Sequence, residues 1–123
     1  MLLEEITESI IKAALKVHTA LGPGLLENVY ETCLVYELEK KNIEVKSQVS
    51  LPVIYDEIKM DIGYRLDLLV QDQVIVELKS VDKLLPIHEA QLLSYLKLSE
   101  KKVGLLINFN VTHLKKGIKR FVN

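Results

Sequence analysis

The sequence predicts an α+β or α/β sandwich built around a mixed sheet, and three observations carry that expectation. Apolar residues recur at three- and four-residue spacing from Leu3 to Leu38. The period then changes to alternation, from Ile43 to Lys79, and a third helical stretch is followed by the continuous apolar run Val103 to Phe109. Helical periods at both ends of a strand-rich middle call for helices packed on a sheet, and an apolar run of strand length suits a strand covered on both faces.

The elements follow in order. Ile6, Ile10, Ala13, Ala14, Val17 and Leu21 mark one stripe of a helix over Leu3–Leu21. Gly22-Pro23-Gly24 ends it, because the glycines admit unusual backbone angles and the proline cannot donate. A second helix begins near Glu27 with Leu26, Val29, Tyr30, Cys33, Leu34 and Leu38 on its apolar side, and the charged run Glu37 to Lys41 closes it. Alternation after Asn42 predicts about four antiparallel strands, with a turn at Asp56-Glu57, a loosening at Gly63 and a loop at Gln71-Asp72-Gln73. A helix from about Pro86 to Ser99 carries its proline in the first turn, and LKKGIKRFV supplies a basic closing strand or short helix.

Bulk properties bound the function. With 123 residues, 49% hydrophobic and 27% charged, the chain suits a single domain, 1–123, with a real core. Sixteen basic residues against seventeen acidic ones leave a formal charge of -1, so attraction to a polyanion must come from local patches. Cys33 is the one cysteine, which excludes an internal disulfide and a thiolate-rich zinc site and fits a reducing compartment. MLLEEITESI carries acids where a signal peptide carries basic residues, and no apolar run reaches membrane-spanning length. The expected localisation is cytoplasmic.

The strands around the Gln71 loop hold the chemistry. If the loop has three residues, Val70 faces Val74 and Asp67 faces Glu77, with Lys79 opposite Arg65. Tyr64, Leu66, Leu68, Val70, Val74, Val76 and Leu78 then share a core face, and Arg65, Asp67, Glu77 and Lys79 share the other. Two facing carboxylates about 5 Å apart at Cβ destabilise a sheet unless a cation sits between them. Oxygen ligands of this kind suit magnesium or manganese completed by water and phosphate oxygens. The other reading is a solvated outer face. Leu69 and Ile75 on the same side count against full exposure.

GLLENVY, Gly24 to Tyr30, together with YRLD and ELK, resembles the signature of the GxxExxY protein family, which looks like a compact branch of the PD-(D/E)XK nuclease superfamily. The order of the opening helix, VELKS, HEAQLLSYLKL and VGLLINFN extends that resemblance over nearly the whole chain. The resemblance implies a restriction-endonuclease-like core, a central mixed sheet flanked by helices with an extra N-terminal helix. It implies that Glu27, Asp67 and Glu77 are metal ligands, that Lys79 is the catalytic lysine, and that the metal is Mg2+ or Mn2+. Leu66-Asp67 stands where the superfamily's name has Pro-Asp.

In the same resemblance Gln91 and Tyr95 contact substrate phosphate or the catalytic water. His88, three residues before Gln91, joins their helix side or caps the helix. Tyr30 shares a helix face with Glu27 and reads either as core or as part of the site, while Gly24 serves the turn. Arg65, Lys115, Lys116, Lys119 and Arg120 guide a nucleic-acid backbone or, in the tail, protect a sheet edge. The expected activity is hydrolysis of phosphodiesters in DNA or RNA. Its rivals are a non-catalytic nucleic-acid-binding module and a protein-interaction module in a DNA-processing complex.

Overall fold

A computed structural model describes every residue, Met1–Asn123, and places five strands in one sheet in the order β1-β2-β3-β4-β5. The helices are α1 (Leu3–Leu21), α2 (Glu27–Lys40) and α3 (Pro86–Ser99). The strands are β1 (Val45–Tyr55), β2 (Ile58–Val70), β3 (Val74–Lys79), β4 (Val103–Asn108) and β5 (Ile118–Val122), with a short 3-10 turn at Leu114–Gly117. β3 and β4 pair in parallel across the α3 crossover, and every other neighbouring pair is antiparallel, so the sheet is mixed. No helix is long and apolar enough to cross a membrane.

Between Asn42 and Lys79 there are three strands rather than four. Ile58–Val70 runs as one strand because Gly63 permits a close crossing: a Cβ there would stand 2.7 Å from the Leu51 carbonyl oxygen. The register slips between Pro52 and Ile54, which absorbs the misfit without breaking either strand. The turn at Asp56-Glu57 has positive φ at both residues, 54° and 64°, as a tight hairpin on right-twisted strands requires. β2 pairs with β3 only over Leu68–Val70, so the outer half of the β1–β2 hairpin extends past the sheet, with Ile54, Tyr55, Ile58 and Ile62 exposed.

Two apolar layers clamp the sheet. On one face Ile6, Ile10, Ala14, Tyr30, Leu34 and Leu38 of α1 and α2 meet Leu68, Val70, Val76, Leu78 and Leu105. On the other, Leu92, Tyr95 and Leu96 of α3 cover Leu66, Leu69, Ile75 and Leu106. β4 is buried along its whole length, as its unbroken apolar run requires. Glu37 ties α1 to α2, with the Lys16 and Lys40 ammonium groups 2.9 and 3.2 Å from its carboxylate. Those cations, Lys16 first, hold the Glu37 carboxyl below its ordinary range.

Strict alternation along β2 fails at one place. Leu68 and Val70 join the α1/α2 layer as expected, but Leu66 joins the α3 layer and Tyr64 is half-exposed against the Tyr95 ring, 5.5 Å between centroids. The core face predicted to include Tyr64 and Leu66 therefore ends at Leu68. The residue between the two regimes is Asp67.

Candidate active site

The expected register of the hairpin holds where the ladder forms: Val70 pairs with Val74 and Leu68 with Val76. One step further the ladder opens, and carboxylates take the place of backbone carbonyls. The Asp67 N–H donates to Glu77 Oε2 at 2.8 Å, and the Leu78 N–H donates to Asp67 Oδ2 at 2.9 Å. This exchange explains the break in alternation, since each strand reaches the other through a side chain rather than its backbone.

The two acids sit in a setting hostile to charge. Glu77 is 5% exposed and Asp67 is partly buried. Burial foremost, then the charge of Asp67, pushes the Glu77 carboxyl up to about 8, against the opposing pull of the Asp67 N–H and of Lys79. Burial also raises Asp67, while the Leu78 N–H and the Lys79 ammonium lower it. Lys79, at the end of β3, is the cation acting on both. The solvated-face reading of this pair is excluded by their burial.

Glu31 is the residue that sequence reasoning missed. Its Oε1 accepts from Gln48 Nε2 at 2.9 Å and its Oε2 from Ser47 Oγ at 3.2 Å. Adjacent residues on an extended strand point to opposite sides, so both reach one carboxylate only because Gln48 is left-handed, φ 54°. Gln48 also favours the charged form of Asp67, which faces it across β1 and β2. Burial first, then the Asp67 charge against the Gln48 and Ser47 bonds, raises Glu31, and Glu31 in turn raises Glu77. Glu27, one turn earlier at the start of α2, is exposed and bears on Glu31 through its charge. The available signal was the i,i+4 repeat of acids on α2, which puts Glu31 on the face of Glu27.

Tyr30 is a correction. It is fully buried, stacks on Phe109 at 4.4 Å, donates to the Gly22 carbonyl at 2.6 Å and accepts from the Leu25 N–H at 3.1 Å. Its hydroxyl is committed to closing the turn that Gly22 and Gly24 make with φ of 70° and 96°, so it positions no substrate. Tyr30→Phe is expected to cost about 0.5–1.5 kcal/mol, since it removes two part-buried hydrogen bonds that close the turn. Chemical denaturation checks this; an unchanged midpoint would show that the turn does not depend on the hydroxyl.

His88 takes the capping role that its position allowed: its Nδ1 accepts the Leu85 N–H at 3.0 Å at the start of α3. Gln91 and Tyr95 do share one side of α3 and line a pocket with Tyr64. Tyr95 is buried, and burial first, then the charge of Glu77, pushes its phenol up to about 12, which keeps it a hydrogen-bond donor. Arg65 is an exposed cation two residues before Asp67. Of the basic tail, Lys119 is paired with Glu89 of α3 at 2.8 Å.

The loop after Lys79 is pinned from two sides. Buried Asn108 accepts the Val81 N–H at 3.1 Å and donates to the Val81 carbonyl at 2.9 Å, and Ser80 Oγ donates to the Leu25 carbonyl at 2.6 Å. The strand that carries Glu77 and Lys79 is thus anchored to the turn before α2, where Glu27 and Glu31 begin. No group of three acidic, histidine or cysteine side chains converges as a cation cage; Asp67 and Glu77 are the pair that meets.

A family model of the PD-(D/E)XK nuclease superfamily matches residues 4–121. The match takes in all but the extreme ends of the chain, and the chain belongs to that superfamily. No curated protein and no solved structure matches it. The mixed five-stranded sheet with helices on both faces is the fold that the superfamily assignment calls for.

Proposed function

We propose that the protein is a metal-dependent nuclease hydrolysing phosphodiester bonds in DNA or RNA, and that it is a member of the GxxExxY branch of its superfamily. The observation that carries this reading is the buried Asp67–Glu77 pair, whose charges lack a full complement of positive partners and stand beside Lys79. Each carboxylate spends one oxygen on a backbone N–H of the facing strand, a bond that a backbone carbonyl would supply without burying charge, whereas a divalent cation converts the acids into ligands.

The donor set fits the group. All the candidate ligands are carboxylate oxygens, few enough to leave room for water and phosphate, as magnesium or manganese requires. Asp67 and Glu77 would hold it, with Glu31 or Glu27 as the acid from α2. The ion supplies Lewis acidity at a phosphate oxygen and lowers the pKa of water near it. Lys79 offsets charge accumulating on the phosphoryl oxygens and orients the attacking water. Tyr95, a neutral phenol, donates to a phosphate oxygen, and Gln91 holds the strand through its amide. Arg65 and the unpaired tail lysines attract the backbone over a Debye length.

The test is cleavage of labelled single- and double-stranded DNA and RNA with magnesium, manganese or chelator. Asp67→Asn is expected to lower the rate by at least about 10²-fold. Glu31→Gln and Glu27→Gln, compared side by side, assign the acid from α2: the larger loss marks the ligand. Wild-type protein that cuts no better than Asp67→Asn would refute the reading.

The exposed Ile54, Tyr55, Ile58 and Ile62 of the β1–β2 hairpin favour a second reading, a protein-interaction module on the same fold. It requires nucleic-acid binding that is weak and nearly independent of salt. A steep fall of binding with salt would exclude it.

A further inference from the structure

We infer that the pocket between the outer part of β2 and α3 is a nucleobase subsite, so that the substrate is single-stranded nucleic acid or an unpaired end. The inference rests on the nuclease reading for its neighbour, the phosphate held at Asp67 and Glu77. The pocket is open, about 260 Å³, and lined mainly by apolar side chains, among them Tyr64, Ile87 and Leu98. Its polar edge is Gln91 and Ser94, and Tyr95, also in the lining, packs with Leu66, Leu69 and Ile75 of the two strands that carry the carboxylates.

Each feature suits a flat heteroaromatic ring. Tyr64 is half-exposed although its ring lies 5.5 Å from that of Tyr95, which leaves an aromatic surface free to stack. The Gln91 amide offers both a donor and an acceptor, and Ser94 a hydroxyl that does either, so the edge of any base finds a partner. The subsite therefore selects an unstacked base without selecting its identity.

Tyr95 places the pocket beside the chemistry. It lines the cavity, and the charges of Glu77 and Asp67 act on its phenol. Tyr64 stands three residues before Asp67 on β2, about 10 Å along an extended strand, so a nucleotide whose phosphate lies at those acids can lay its base on Tyr64 once the base has left the duplex stack. A base paired within a duplex cannot enter without unpairing and unstacking. This ties strand state to activity through one exposed side chain.

The test uses a short single-stranded oligonucleotide carrying a fluorescent adenine analogue whose emission is quenched on stacking. Calcium replaces magnesium so that binding is read without cutting. Wild type and Tyr64→Phe are expected to quench the analogue and bind alike, while Tyr64→Ala loses the quenching and binds about tenfold more weakly. Thermal melting confirms that Tyr64→Ala is folded, as its half-exposed position leads one to expect. Equal quenching by wild type and Tyr64→Ala, or none by wild type, overturns the subsite. A parallel cleavage assay separates the two readings: cutting without Tyr64-dependent quenching removes the subsite and leaves the nuclease, whereas Tyr64-dependent quenching without cutting removes the nuclease and leaves the subsite.

Discussion

Lys79→Met is expected to lower metal-dependent cleavage by about 10²–10³-fold, the loss that follows removal of one preorganised charge at a reacting phosphoryl group. The geometry gives this variant a second signature. The Lys79 ammonium holds both Asp67 and Glu77 below where burial alone would put them. Its removal raises both carboxyls further, so more magnesium is required for half-maximal rate at a given pH. Initial rates across a magnesium series at two pH values separate the effects: the ceiling falls because charge is missing from the reacting centre, and the midpoint rises because the acids bind protons more tightly. Lys79→Arg keeps the charge but spreads it over a planar fork, and is expected to restore the midpoint more than the ceiling. A Lys79→Met protein that reaches the wild-type rate at saturating magnesium would show that the lysine serves the acids alone.

The parts of this arrangement that depend on period and turn chemistry were legible in the sequence. α1 and α3 have the bounds that the apolar spacing and Pro86 suggested, the turns fall at Asp56-Glu57 and Gln71-Asp72 where polar residues interrupt the alternation, and the Gln71 loop sets Val70 against Val74. The Asp67–Glu77 pairing follows from that register alone. What was not legible depends on departures from the period. The left-handed Gln48 has no sequence signature, because glutamine carries no preference for that region, so neither its bond nor that of Ser47 to Glu31 was visible. The shift of Leu66 and Tyr64 to the α3 side arises where the ladder is replaced by side-chain bonds at Asp67, which an alternation rule cannot see. Tyr30 shows the converse case. Its place in GLLENVY near an acid suggests chemistry, yet its hydroxyl is used by the glycine turn, at Gly22 and Leu25, eight and five residues before it.

Glu77→Gln is expected to abolish cutting while making the metal-free protein more stable, and the sign of the second effect follows from proton linkage. The Glu77 carboxyl is pushed from 4.5 to about 8 in the folded chain, with burial the main cause. Between those values the native state holds a proton that the unfolded state has released, so stability falls as pH rises through the window, by about 1.4 kcal/mol per unit. Below it the acid is neutral in both states and costs nothing. Glutamine is neutral throughout, and its carbonyl oxygen still accepts the Asp67 N–H. The variant and the wild type should therefore melt together near pH 4.5 and diverge as pH approaches 8, the variant ending on the order of several kcal/mol more stable. Magnesium should then reverse the order, because it stabilises only the chain whose ligand is intact, by an amount that grows with the logarithm of its concentration. Thermal melts at several pH values, with chelator and with magnesium, check both halves. Parallel pH profiles for the two proteins would mean that Glu77 carries no buried charge, and its burial would then call for no cation. Profiles that coincide near pH 4.5 and diverge above it would show an acid that the fold tolerates at a cost in stability, which is the mark of a residue kept for its chemistry rather than for the scaffold.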